Sequence, residues 1–148
     1  MTTNLAKHPQ MRDYSFSETP PSAEDYLRLR ELTGMSKRSQ KGATIALRNS
    51  LFATFIYQHE ALIGMGRVIG DGGCFCQVVD IAVHPDHQGQ GLGKKIMHKI
   101  MSFIDETLPE NTLTSLLADV PADKLYKQFG FKPTAPQSVG MGYYATKS

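Results

Sequence analysis

Apolar and polar positions along the chain follow two periods, one typical of short strands and one typical of amphipathic helices. The clearest helical pattern runs from Gly91 to Leu108, where Leu92, Ile96, Ile100, Phe103 and Ile104 share one face. Further helices are predicted after the capping residues Ser22, Ser36 and Asp119, ending near Gly34, Arg48 and Gly130. Strands are predicted over residues 12–17, 51–58, 61–69, 76–83, 112–118 and 141–145.

This alternation of strands and helices predicts an α/β fold built on a mixed sheet. The length of 148 residues corresponds to one domain, so residues 1–148 are expected to form a single domain with a frayed end over residues 1–10.

Composition narrows the class of protein. With 41% hydrophobic and 20% charged residues, the chain has the balance of a folded soluble protein rather than a disordered one. The formal net charge of +2 gives no argument for nucleic acid or membrane as a partner. The sequence shows no secretory signal or membrane-spanning run, and its two cysteines fit a reducing cytoplasm. We therefore expect a cytoplasmic protein.

The segment between the strand ending at Val83 and the long helix carries the candidate chemistry. Gly89, Gly91 and Gly93 alternate there, which leaves the backbone N–H groups uncovered at a helix N-terminus, a typical phosphate site. The helix also begins with Lys94 and Lys95, cations that oppose its dipole unless an anion binds. The alternative is a plain strand-to-helix turn. The spacing fits neither a Walker loop nor a dinucleotide fingerprint.

The motif Gln88-x-x-Gly91-x-Gly93 resembles the Q/R-x-x-G-x-G/A signature of the GNAT superfamily, which comprises acetyl-CoA-dependent N-acetyltransferases. The segments 80–85 (DIAVHP) and 125–131 (LYKQFGF) frame the motif as they do in that family. The resemblance is clearest from about residue 76 to residue 131. It implies a mixed, mainly antiparallel twisted sheet flanked by about four helices.

The resemblance also implies roles for particular residues. The glycine loop would bind the pyrophosphate of acetyl-CoA through backbone N–H groups, and the edge of the preceding strand, near a β-bulge, would pair with the pantetheine arm. Tyr126 would act as general acid toward the departing thiolate. The cofactor-binding residues expected are Ile81, Ala82, Val83, Gln88, Gly89, Gln90, Gly91, Leu92, Gly93 and Lys94.

Three residues have a structural alternative to a catalytic or cofactor-binding role. Tyr126 also has the helical spacing of a core residue. Asp80, the only acid on the strand of residues 76–83, could be the general base acting through water or a satisfied structural acid. Relatives often carry an Asn where this chain has Asp119, for which helix capping is the safer interpretation.

Two charged or metal-ligating groups are interpreted as structural. The cysteines and histidines at 74, 76, 84 and 87 lack common zinc spacing, so no metal is expected. The basic residues of the first two helices are interpreted as a solvated face rather than a site for an acidic partner. They are Arg28, Arg30, Lys37, Arg38, Lys41 and Arg48.

The function expected is transfer of an acetyl group to a primary amine of a small molecule or peptide by direct attack. The acceptor pocket would be walled by residues 34–42, the strands of the hairpin and residues 133–144. Two alternatives are a catalytically silent acyl-CoA-binding or sensor domain and a nucleotide-binding regulatory module. A homodimer is plausible from the family.

Overall fold

The computed structural model describes residues 13–147. Its strands are β1 (Tyr14–Ser17), β2 (Phe52–Gln58), β3 (Ala61–Gly70), β4 (Phe75–Val83) and β5 (Leu113–Ser115). Its α-helices are α1 (Ala23–Leu32), α2 (Gln40–Leu47), α3 (Leu92–Thr107) and α4 (Asp123–Lys127), with a short 3₁₀-helix at Pro85–His87. The fold comprises two compact units, one ending at Leu116 and one beginning at Leu117.

The first unit contains a five-stranded sheet in the order β1-β2-β3-β4-β5. Neighbouring strands are antiparallel, except that β4 and β5 are parallel. The sheet is thus mixed and mainly antiparallel, and four α-helices occur among residues 13–147, as the sequence predicts.

Helices cover both faces of the central strands. Met65 of β3 packs with Tyr26 and Leu29 of α1 in one core cluster. The next residue, Gly66, faces the other way, because a Cβ built there would come within 2.5 Å of Ile96 and 3.0 Å of Ile100, both on α3. Side chains alternate along a strand, so α1 and α3 lie on opposite faces of β3.

Helix α3 fits its predicted pattern most closely. Ile96, Met97 and Ile100 are fully buried, whereas Lys95 and Lys99 on the other side are exposed. The apolar stripe therefore attaches α3 to the sheet and fixes the direction in which its N-terminus points.

Two predictions in the first two helices are wrong. The second helix is capped by Ser39, whose hydroxyl accepts from the N–H of Gly42 at 2.9 Å, and not by Ser36. The carbonyl of Ser36 instead accepts from Arg30. The helical spacing also predicts Leu32 on the same side of α1 as Tyr26 and Leu29, but Leu32 is 46% exposed because α1 ends there. The cap at Ser22 is confirmed, with its hydroxyl accepting from the N–H of Asp25.

The C-terminal predictions are less accurate. Strand β5 has three residues instead of seven, and residues 141–145 form no strand. A strand needs a neighbour for its backbone groups, and no described strand pairs with these residues. Asp119 does not cap α4 with its side chain. The cap residue is Ala122, whose N–H donates to the backbone carbonyl of Asp119.

None of the helices described over residues 13–147 has the length and apolar character needed to cross a bilayer.

Candidate functional site

The glycine loop lies between the 3₁₀-helix and the N-terminus of α3. Gly89 and Gly91 have φ values of 80° and 79°, in the left-handed region that side-chain-bearing residues rarely adopt. A Cβ at either position would meet nothing within 4 Å. The backbone conformation therefore requires glycine, and the surface above the loop is open.

The N-terminus of α3 has no side-chain cap. Gly91 occupies the cap position, and the first turn contains no acidic residue. The first N–H groups of a helix have no carbonyl partner within the helix, and here no capping side chain accepts a hydrogen bond from them. Exposed Lys94 and Lys95 add positive charge. These features fit a polyanion such as the pyrophosphate of acetyl-CoA.

Hydrogen bonds from neighbouring elements hold the loop in shape. The side-chain amide of Gln88, a predicted binding residue, donates to the carbonyl of Val83 at 3.0 Å and so ties the loop to the end of β4. The Tyr14 hydroxyl on β1 lies 2.6 Å from Nδ1 of His87 and donates to Oε1 of Gln90 at 3.3 Å. The loop is thus held by side-chain hydrogen bonds to β1 and to the end of β4.

One edge of β4 is open next to this loop. Strand β5 pairs with residues 75–77 only, so among the described strands none covers that edge at Ile81, Ala82 and Val83. The register between β3 and β4 shifts so that Asp80 and Ile81 lie opposite the single residue Gly66. This is the β-bulge expected at this place.

Asp80, at the bulge, is the centre of a group that we call the buried ion cluster: Tyr26, Arg30, Arg67 and Asp80. One carboxylate oxygen accepts from the Tyr26 hydroxyl and from Nε of Arg67, the latter at 2.9 Å. The other accepts from Nη1 of Arg30. The Asp80 side chain is only 7% exposed. Burial, and then the charge of Asp80, raise the pKa of Tyr26 above its usual range.

The two arginines of the cluster were missed from sequence. The interpretation of Arg30 as part of a solvated face is wrong, because the residue is 5% exposed and donates a hydrogen bond to Asp80. Arg67 was assigned no role. The available signal is a pair of opposite charges, Arg67 and Asp80, each inside a mostly apolar predicted strand, on two strands that follow each other along the chain.

Tyr126, the predicted general acid, lies on α4 in the second unit, where it is half-buried. Its ring meets that of Phe131 edge to face, with centroids 6.4 Å apart. Burial, and then the nearby charge of Asp119, raise the pKa of Tyr126 above its usual range. The phenol is therefore protonated at neutral pH, as a proton donor must be.

A cavity of about 490 Å³ lies beside α1 and the connection to α2. Positive side chains outnumber negative ones in its lining, which consists of Leu27, Arg30, Glu31, Gly34, Met35, Ser36, Lys37 and Arg38. A larger groove of about 920 Å³ between α3 and the start of β2 is lined in part by the first strand of the hairpin and contains none of the predicted catalytic or cofactor-binding residues. Within residues 13–147, no three His, Cys, Asp or Glu side chains are grouped as metal ligands.

Comparison with known proteins gives consistent matches. Residues 50–133, more than half of the chain, match a family model described as an acetyltransferase (GNAT) domain. An "Uncharacterized N-acetyltransferase ycf52" of Pyropia yezoensis is 32% identical over 115 residues, covering 75% of this chain and 65% of that protein. A protein with the same description from Gracilaria tenuistipitata is 36% identical over 126 residues, covering 81% and 67%.

Among solved structures, a probable acetyltransferase of unknown function from meticillin-resistant Staphylococcus aureus is 47% identical. It superposes with a TM-score of 0.86, and the match covers 89% of this chain and 99% of that one. The chain spans about two thirds of the length of the curated algal relatives.

Proposed function

We propose that this chain, which belongs to the GNAT family of acetyltransferases, transfers an acetyl group from acetyl-CoA to a primary amine. The observation that carries the proposal is the uncapped glycine loop at the start of α3, beside an open strand edge on β4. A polyanion with a peptide-like arm matches both features at once.

The residues present fit acetyl-CoA, which supplies the acetyl group as a thioester. The N–H groups of residues 88–94 would hold its pyrophosphate, with Lys94 adding charge. The open edge at Ile81, Ala82 and Val83 would hydrogen-bond its pantetheine arm. A backbone N–H on this edge would also stabilise negative charge developing on the carbonyl oxygen.

Two side chains have proposed parts in proton handling. Tyr126 would protonate the departing thiolate, which its raised pKa supports. Asp80 was a candidate base, but its oxygens already accept hydrogen bonds from Tyr26, Arg30 and Arg67. We therefore propose that Asp80 is structural, and that the ammonium of the substrate loses its proton through water.

The acceptor is proposed to occupy the cavity of about 490 Å³, which partly matches the wall predicted at residues 34–42. Lys37 and Arg38 give this cavity an excess of positive charge over Glu31, while the charge of Arg30 is paired with Asp80. An amine that also carries a carboxylate or phosphate would enter it more readily than a polyamine would. We therefore propose an anionic small molecule or peptide amine as the substrate class.

Three broader expectations remain proposals. The family match crosses the boundary at Leu116, which supports one functional domain made from both compact units. The free cysteines Cys74 and Cys76 support a reducing compartment such as the cytoplasm. A homodimer stays a prediction from the family.

A calorimetric titration with acetyl-CoA, followed by thiol release with a panel of amines, tests the proposal. We expect micromolar binding, and turnover that is fastest with amines carrying an anionic group. Binding without turnover on any amine would favour a silent acyl-CoA sensor. Preference for ATP or NAD over CoA would favour a nucleotide-binding module, and absence of binding would refute the role of the loop.

A further inference from the structure

We propose that Arg30 and Arg67 are positioning residues. Through Asp80 they hold the bulge of β4 in the shape that keeps the Ile81–Val83 edge open for the pantetheine arm. This inference rests on the proposed function and adds residues that lie outside the glycine signature.

The first step is the backbone of Asp80. Its φ of 60° lies in the left-handed region, which costs energy for a residue with a side chain and persists where the surroundings hold it. This conformation places two residues of β4, Asp80 and Ile81, opposite Gly66 of β3. The path of the next residues, which form the open edge, therefore depends on what holds Asp80 in place.

The second step is the set of bonds that hold the carboxylate. Asp80 accepts from Nε of Arg67 at 2.9 Å and from Nη1 of Arg30, and the Tyr26 hydroxyl is a third donor. Charged hydrogen bonds at a buried site are strong and directional. Three donors from two elements, β3 and α1, leave the side chain little freedom to rotate.

The third step is that both arginines are anchored at their other nitrogens. Nη2 of Arg30 donates to the carbonyl of Ser36 at 2.7 Å, on the connection between α1 and α2. Nη1 of Arg67 donates to Oγ of Ser50 at 2.8 Å and to the carbonyl of Ala46 at 3.2 Å. The bulge is thus tied through each guanidinium to the helical layer that covers it.

The fourth step is that stability alone does not explain this arrangement. The cluster buries two cations against one anion, and the Tyr26 ring faces both guanidinium carbons, at 5.9 Å from Arg30 and 5.7 Å from Arg67. Burying ion pairs seldom adds net stability relative to apolar residues of similar size. A cluster placed at the bulge instead specifies the local geometry of the strand.

The test compares two ligands that differ only in the pantetheine arm: CoA, and 3′-phosphoadenosine 5′-diphosphate, which carries the same pyrophosphate without the arm. We expect Arg67→Met to weaken CoA binding by about tenfold or more and to leave the shorter ligand within about twofold. The KM for acetyl-CoA should rise by a similar factor. Arg28→Met is the control, because Arg28 lies on α1 with its side chain 65% exposed and outside the cluster.

Unchanged CoA affinity in folded Arg67→Met would overturn the inference, and so would equal weakening of both ligands, which would indicate general damage. If Arg67→Met does not fold, Tyr26→Phe removes one donor with little loss of packing. This variant should then weaken CoA binding by about threefold and leave binding of the shorter ligand unchanged. Equal effects on the two ligands, or no effect on either, would refute the inference. If the wild-type protein binds neither ligand, the proposed function itself fails.

Discussion

Substitution of Gly91 separates binding from folding because a Cβ there meets nothing within 4 Å in the protein. In Gly91→Ala the side chain costs only the left-handed strain, about 1–2 kcal/mol. For a chain of this length that corresponds to a loss in Tm of roughly 2–4 °C per kcal/mol. In Gly91→Glu a negative charge at the helix N-terminus recovers about 0.3–1 kcal/mol of that strain, so this variant should fold at least as well as Gly91→Ala.

The effect on binding should be much larger. The new side chain occupies the space above the loop and displaces the pyrophosphate from its N–H donors. Each charged hydrogen bond is worth about 1.5–3 kcal/mol, so loss of two amounts to about 3–6 kcal/mol. That difference corresponds to a Kd for CoA raised about 10² to 10⁴-fold, with Glu worse than Ala because its carboxylate repels phosphate.

Calorimetry with CoA and thermal melts on the same samples provide the assay. Gly72→Ala is the matched control, because Gly72 has a φ of 78°, its nearest neighbour for a Cβ lies 3.9 Å away, and it sits in the turn between β3 and β4. It should lower Tm as Gly91→Ala does and leave CoA binding unchanged. If folded Gly91→Glu bound CoA with wild-type affinity, the glycine loop would not be the phosphate site.

Three further changes test other parts of the structure. Tyr126→Phe should lower kcat by about 10² to 10⁴-fold with CoA affinity unchanged, because the raised pKa keeps this phenol protonated at neutral pH; an unaltered kcat would return Tyr126 to a packing role. Ser39→Ala should lower the free energy of unfolding by about 1 kcal/mol, more than Ser36→Ala does, as measured by urea titration; equal losses would contradict the capping assignment. Hydrogen bonds from the N–H groups of residues 73–75 lower the pKa of Asp71. The stabilisation that this carboxylate gives the fold is therefore present above its pKa in the unfolded chain, and it is lost as the pH falls through its pKa in the folded protein. In Asp71→Asn the Tm should fall less than in the wild type as the pH is lowered. The same fall of Tm in both proteins would contradict this.

The features that the sequence predicted correctly are those determined by neighbours along the chain. Helix α3 has an apolar stripe that shows within sixteen residues, and Ser22 caps α1 through an N–H three residues away. The glycine loop belongs to the same class, because a strand, a run of glycines and a helix follow one another directly.

What the sequence did not show depends on contacts between distant segments. Asp80 meets Arg30 from 50 residues away and Tyr26 from 54 residues away, so neither helix residue signals its partner locally. The strand predicted at residues 141–145 failed for the related reason that alternation alone cannot supply a pairing neighbour. Only β3 and β4 follow each other closely enough along the chain to suggest that Arg67 and Asp80 meet.

Three features that oppose stability lie together around one end of β4. Asp80 holds a left-handed backbone, the edge beyond it is left uncovered by the described strands, and α3 begins without a cap and with two lysines in its first turn. Each feature alone costs stability, and Gly at position 80 would relieve the first because glycine adopts the left-handed conformation freely. An anionic ligand with an amide-bearing arm, as proposed above, would satisfy the helix N–H groups, the lysine charges and the strand edge together. Their placement side by side is therefore better explained by binding than by folding.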